Sequence, residues 1–132
     1  MSYAMNSNLT IVAFLQNKIL TFVLFILLAA IGSVLRWTLQ NSRKWAKSSG
    51  TFIANIIASF LLGVLLGGSP SGEEVTIIGS GFLGSFSTFS TVMMEVNDEL
   101  EKEKRVLAST YLVASIITAV AAAFLGLEVG GR

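Results

Sequence analysis

The 132-residue chain has no cysteine, no histidine and a single proline, and Asp, Glu, Lys and Arg together make up only 13% of it. Without cysteine there is neither a disulfide framework nor a thiol nucleophile. Without histidine the commonest general base and the commonest metal-ligating side chain are both missing. No paired intramembrane carboxylates replace them, so an enzyme is the weakest reading of the chain. The formal charge is +1, from few and scattered basic residues, and it leaves no nucleic-acid footprint. The one proline, Pro70, lies in a short turn, SPSGEE, at 69–74.

What the chain has instead is apolar surface, at 53% of its residues. Four stretches reach the roughly 20 residues that cross a bilayer: 19–39, 50–68, 75–96 and 106–127. They leave almost nothing for a soluble domain. The fold class is therefore an all-α membrane protein with four transmembrane helices. Residues 1–18 form an N-terminal tail whose Leu9, Ile11, Val12, Phe14 and Leu15 suit an interface. Residues 19–127 form the membrane domain, and 128–132 a C-terminal tail. The first span is too long for a signal peptide and lacks its basic n-region and cleavage site. Trp37 and Trp45 stand where a headgroup boundary is expected. The charged run NDELEKEKR at 97–105 reads as an exposed extension of the third or fourth helix, with Glu101 and Arg105 at i,i+4, and carries no chemistry.

Polar residues inside apolar spans are costly unless they are paired or face a cavity, so each one raises a functional question. Asn55 lies five residues into the second span, with Ser59 one turn further on the same face. Two readings stand for this pair, pore lining and hydrogen-bonded helix–helix contact. Tyr111, Ser115 and Thr118 share a face of the fourth span, and hydroxyls there are able to bond back to their own helix. Arg36 ends the first span, in the manner of a snorkelling arginine. Gly32, Gly63 and Gly67 read as close-packing positions. Glu95 is either interfacial or intramembrane.

The third span is the least ordinary. Nine of the thirteen residues at 79–91 (GSGFLGSFSTFST) are Gly, Ser or Thr. Irregular backbone at membrane depth survives only where it is buried in protein or lines water. The segment therefore reads as a helix broken near the midplane, with residues 84–88 non-helical; half-helix C-termini there expose carbonyls that can hold a cation, and half-helix N-termini expose amides that favour an anion. The competing reading is a straight helix packed through small residues. Phe86 and Phe89 are three residues apart and share a face if the helix is continuous. A ring edge is electropositive and solvates an anion weakly, which suits a permeant ion that must also leave.

Together these motifs resemble the Fluc (CrcB) family of small fluoride channels. The matching residues are Gly32-x-x-x-Arg36, Gly50-Thr51-x-x-x-Asn55, Gly81-x-x-Gly84 through Ser87-Thr88-Phe89-Ser90-Thr91 with Glu95 following, and Tyr111-x-x-x-Ser115. They run in order through all four spans, over 84 of the 132 residues. The resemblance implies a subunit that pairs with an inverted copy or homologue in the cell membrane. It further implies passive fluoride export along two pathways at the antiparallel dimer interface, and a central structural sodium ion. By position, Gly84 and Ser87 supply the sodium's backbone carbonyls. Asn55, Phe89, Ser90, Thr91, Val92, Glu95, Tyr111 and Ser115 belong to the fluoride pathway. Gly32 and Arg36 belong to the vestibule or to structural pairing. The chain departs from the family pattern at three places. Val92 stands where a second pore phenylalanine is expected. Gly84-Ser85-Phe86-Ser87-Thr88 replaces Gly-Gly-Leu-Thr-Thr. Ala58 and Ser59 replace glycines after the second-span asparagine.

Lysine and arginine in short loops set orientation. With four spans, Arg43, Lys44, Lys47, Lys102, Lys104 and Arg105 share one side, against Lys18 and Arg132 on the other. Six against two places both termini outside and favours a heterodimer, with a separately encoded inverted partner, over a homodimer. Two other readings stay open: a small four-helix drug/proton antiporter, although the first span lacks the carboxylate that mechanism uses, and a weakly conducting partner subunit of a heterodimeric channel.

Overall fold

The structure, a computed structural model, describes the backbone of residues 2–42 and 47–132, and side chains at 13–42 and 48–132. Among these residues every regular element is helical. Helix α1 (Ser2–Gln40) is continuous and includes residues 2–18, which the sequence reading set apart as a tail. Helix α2 is Lys47–Gly67. A helical run, α3 (72–86), follows and is built of Gly72–Glu74, Val75–Leu83 and Gly84–Phe86. Helix α4 is Phe89–Glu101 and α5 is Arg105–Gly130. Four segments are long and apolar enough to cross a membrane: Ala13–Gln40, Ser48–Gly67, Gly72–Glu101 and Arg105–Gly130. The third of these contains α3 and α4 with a bend between them.

The start of α3 is fixed locally. Ser71 Oγ accepts from the Glu74 N–H at 3.3 Å, and the Glu74 carboxylate accepts from the Ser71 N–H at 2.8 Å. This reciprocal pair is a capping box. Between Val75 and Leu83 the backbone adopts the wider i→i+5 pattern, which closes with the Gly84 N–H on the Gly79 carbonyl. Such turns are rare and re-aim side chains relative to an α-helix. Of the charged run at 97–105, residues 97–101 extend α4, as the sequence reading expected. α4 ends at Glu101, Glu103 takes a left-handed conformation (φ 59°), and α5 starts at Arg105. The helical i,i+4 geometry expected for Glu101 and Arg105 is therefore lost. Instead Asn97 donates to Glu101 at 2.8 Å and Lys102 to Glu99 at 2.7 Å. The Glu99 carboxylate holds the Lys102 ammonium pKa above the ordinary lysine value.

The interior is built from small residues while the large ones face outward, as expected when the solvent is hydrocarbon. One buried cluster is Ala54, Ala58 and Phe86, with Leu39 against it. The other is Val92, Val96 and Ala108, with Tyr111 and Leu112. Ile19, Phe22, Ile26, Ile117 and Phe124 are all exposed. The most extensive helix pair is α2 with α5. Its seam is a double glycine interlock. A side chain at Gly63 would strike the Ala123 carbonyl, one at Gly126 the Phe60 carbonyl, and one at Gly130 the Val64 carbonyl. α1 packs on α3 in the same way, with Gly32 against the Phe82 carbonyl. The close-packing roles expected for Gly32, Gly63 and Gly67 agree with these contacts.

Candidate functional site

At Ser87 (φ −86°, ψ 162°) and Thr88 (φ −159°, ψ 127°) the chain leaves the helical conformation between α3 and α4. No proline is present to cause this. A sharp bend also arises when a side chain enters the hydrogen-bond ladder, and Asn55 of α2 does so. Its Oδ1 accepts from the Thr88 N–H at 2.7 Å, and its Nδ2 donates to the Thr88 carbonyl at 2.9 Å. Thr88 in turn caps α4, its Oγ1 accepting from the Thr91 N–H at 3.3 Å, as an N-cap threonine does. The Ser90 and Thr91 hydroxyls lie 3.0 and 3.2 Å from the same oxygen. The non-helical segment expected over 84–88 is thus narrower. Gly84–Phe86 remains helical, and only the two residues held by Asn55 and by the cap are extended.

The bend leaves the carbonyls of the last turn of α3 without their i+4 donors, those of Gly84 and Ser87 among them. In a continuous α-helix the Thr88 N–H would serve Gly84 and the Thr91 N–H would serve Ser87. Both donors are diverted, one to Asn55 and one to Thr88 Oγ1. Gly84 lies on the subunit surface, where an added Cβ would meet only the Gly79 carbonyl at 3.6 Å. The Ser87 carbonyl accepts from Arg36 Nη1 at 3.4 Å.

Beside the bend lies an open groove of about 300 Å³, lined among others by Asn55, Ser59, Thr88, Phe89, Val92 and Ser115. It brings together Asn55, Phe89, Val92 and Ser115 from the sequence-derived set. Phe89 is 61% exposed, while Val92 is 1% exposed, its side chain packed in the α4–α5 cluster. Phe86 does not share a face with Phe89, because the bend separates them. Phe86 is buried and stacked on Phe82, with ring centroids 5.9 Å apart. Ser115 is buried and its hydroxyl donates to the Tyr111 carbonyl at 2.7 Å, a bond within its own helix.

Glu95 and Tyr111 form a second polar centre, one helical turn along α4 from the groove. Glu95 is 6% exposed. Its carboxylate accepts from Thr51 Oγ1 at 2.8 Å and from the Tyr111 hydroxyl at 2.5 Å. Gln40 Nε2 donates to Thr51 Oγ1 at 3.3 Å, which extends the network to α1. A pocket of about 200 Å³ opens here, between Ser48, Glu95, Asp98, Glu99, Lys102 and Tyr111. Sequence reasoning left Glu95 undecided between an interfacial and an intramembrane place; three helices bury it. It passed over Thr51 and Thr88 as site residues. For Thr88 a signal existed, a threonine three residues before Thr91 in an N-cap pattern. For Thr51 there was none, because its partner is 44 residues away.

Four segments able to span a membrane, a bend held by a side chain from a neighbouring helix, and a polar groove open to the surface define a multi-pass membrane protein built around a bent third span. Comparison with known proteins narrows the class. The profile of the family described as CrcB-like protein, Camphor Resistance (CrcB), matches residues 23–127, and the chain belongs to that family. It is 34% identical over 104 residues to "Fluoride-specific ion channel FluC 2" of Bacillus cereus, covering 76% of this chain and 88% of that protein. It is 35% identical over 97 residues to "Fluoride-specific ion channel FluC 1" of Geobacillus kaustophilus, covering 74% and 82%. It is 38% identical over 104 residues to "Fluoride-specific ion channel FluC 2" of Mycobacterium tuberculosis, covering 76% and 82%.

Proposed function

We propose that this chain is a subunit of a fluoride channel that exports fluoride passively across the cell membrane, with its groove completed by a second, inverted subunit. The observation that carries this is the open groove beside the Asn55–Thr88 bend, in a chain whose relatives are fluoride-specific ion channels. Fluoride holds water tightly, so a path for it must offer hydrogen-bond donors in place of water while binding weakly enough for release. Asn55 Nδ2 has two N–H donors and spends one on the Thr88 carbonyl, so the second is free to face an anion. The Ser90 and Thr91 hydroxyls cluster on Thr88 Oγ1 at the bend, and the exposed Phe89 ring adds an electropositive edge to the groove. Ser115, Tyr111 and Glu95 continue the polar line away from the bend.

The same reading places a structural sodium ion at the Gly84 and Ser87 carbonyls. The donor set fits: these are hard oxygen ligands, both released from the helical ladder, and Gly84 sits at the surface where a second subunit would approach. A bound sodium would hold the bends of two subunits together; the chain's own part is to present those carbonyls, through Asn55 and the Thr88 cap. The antiporter reading finds no support, since the first span still lacks a carboxylate and the relatives are named as fluoride channels. Reconstituted chain, alone or with an inverted homologue, is expected to release fluoride from liposomes without a proton gradient, as read by a fluoride electrode. Release that requires a proton gradient overturns the channel reading.

Val92 favours a second reading, in which this chain is a weakly conducting member of a heterodimer. Its side chain packs in the core with Val96, Ala108, Tyr111 and Leu112, and where it borders the groove it offers an aliphatic surface and no ring. The lysine and arginine asymmetry supports a separately encoded partner; of the residues in that count, Arg43 and Lys44 lie outside the described residues, as does the side chain of Lys47. Val92→Phe is expected to cost about 1–3 kcal/mol through overpacking and to leave efflux unrestored. An unchanged unfolding midpoint together with faster efflux would show that the ring turns into the groove.

A further inference from the structure

Arg36 stands one turn after Gly32, where α1 crosses α3 against the Phe82 carbonyl. That crossing delivers the guanidinium to the bend, where Nη1 donates to the Ser87 carbonyl at 3.4 Å. The group is half-buried and carries a positive charge. Among the described residues no carboxylate lies within ion-pair distance of it. A half-buried cation whose recorded partner is one carbonyl is only partly compensated. That carbonyl is also one of the two assigned above to a sodium ion, and two cations at one oxygen repel each other strongly where the dielectric is low.

We propose that Arg36 is a positioning residue that competes with the metal cation for the Ser87 carbonyl. In the cation-free subunit the guanidinium satisfies this oxygen and steadies the bend. A cation at that carbonyl would displace the Arg36 contact. The proposal rests on the cation-site reading, and it makes cation affinity a property that α1 sets. Removing the charge at 36 should therefore tighten cation binding, whereas a purely structural cap would leave the affinity as it is.

The test is a sodium titration of the thermal unfolding midpoint of the assembled channel, the chain alone where it forms a dimer and otherwise co-purified with an inverted homologue, with N-methylglucamine chloride holding ionic strength constant. Ligand that binds only the folded state raises the midpoint as its concentration passes the dissociation constant. The wild type is expected to rise with sodium. Arg36→Gln is expected to show the same rise at about tenfold lower sodium, and Arg36→Lys, which keeps the charge, to track the wild type. If the glutamine variant does not fold, Arg36→Met replaces it. A neutral variant that needs the same sodium or more, or whose midpoint falls uniformly at every sodium concentration, overturns the competition. A wild type that ignores sodium overturns the cation site itself, and this proposal with it.

Discussion

Asn55→Asp is expected to reduce fluoride efflux by at least about a hundredfold while the chain remains folded. Asp keeps an acceptor for the Thr88 N–H, which Asn55 Oδ1 holds at 2.7 Å. It loses the donor that Nδ2 gives to the Thr88 carbonyl at 2.9 Å, and it sets a negative oxygen in the groove. At about 4 Å and an effective dielectric near 20, a unit charge repels an anion by about 4 kcal/mol, which exceeds a hundredfold in rate. The stability loss is smaller, about 1–3 kcal/mol for one orphaned polar group. Asn55→Ala separates the two effects. It removes both bonds to Thr88, so it should lower the unfolding midpoint more than Asp does, yet it places no charge in the path and should retain more efflux. Liposome efflux and thermal unfolding of both variants provide the check. A folded Asn55→Asp protein with efflux near that of the wild type removes Asn55 from the pathway and leaves it only its role at the bend.

The bonds from Asn55 to Thr88 show where sequence reading reached its limit. The four spans were legible because hydrocarbon demands a length and a composition that no loop imitates. The unusual third span was legible from its Gly, Ser and Thr content, and its bend falls inside the segment so identified. The position of the bend was not. It depends on Asn55 meeting Thr88 across 33 residues of sequence, and no local rule encodes that meeting. Gly84, with its φ of −63°, stays helical although glycine is the residue one would choose to break a helix. The i→i+5 turns of Val75–Leu83 left no trace in the apolar periodicity either. Glu95 shows the same limit: its burial is set by hydroxyls from α2 and α5, and neither is visible from the residues around it.

Gly126→Leu is expected to abolish folding into the membrane-spanning bundle, the largest effect of any single substitution considered. Between helices in a bilayer there is no hydrophobic driving force, because lipid tails are as apolar as leucine. Association rests on close backbone approach through small residues. The α2–α5 seam meets this need from both sides. Gly63 and Gly67 of α2 lie under the Ala123 and Leu127 carbonyls, and Gly126 and Gly130 of α5 under the Phe60 and Val64 carbonyls. Such contacts also bring Cα–H groups against carbonyl oxygens, each a small favourable term. Because a Cβ at 126 already overlaps backbone, Gly126→Ala alone should cost about 1–3 kcal/mol, and leucine, which pushes the two helices apart, more. The consequence reaches the groove, since Asn55 and Ser59 are on α2 and Ser115 is on α5; a wider seam separates the donors from one another. Gly72 supplies the control, since nothing lies within 4 Å of a Cβ placed there, and Gly72→Ala should behave as wild type. The measurements are monodispersity on size exclusion and the thermal midpoint in detergent. If Gly126→Leu gives a monodisperse protein with a midpoint close to that of Gly72→Ala, the glycine seam is not what holds α2 and α5 together.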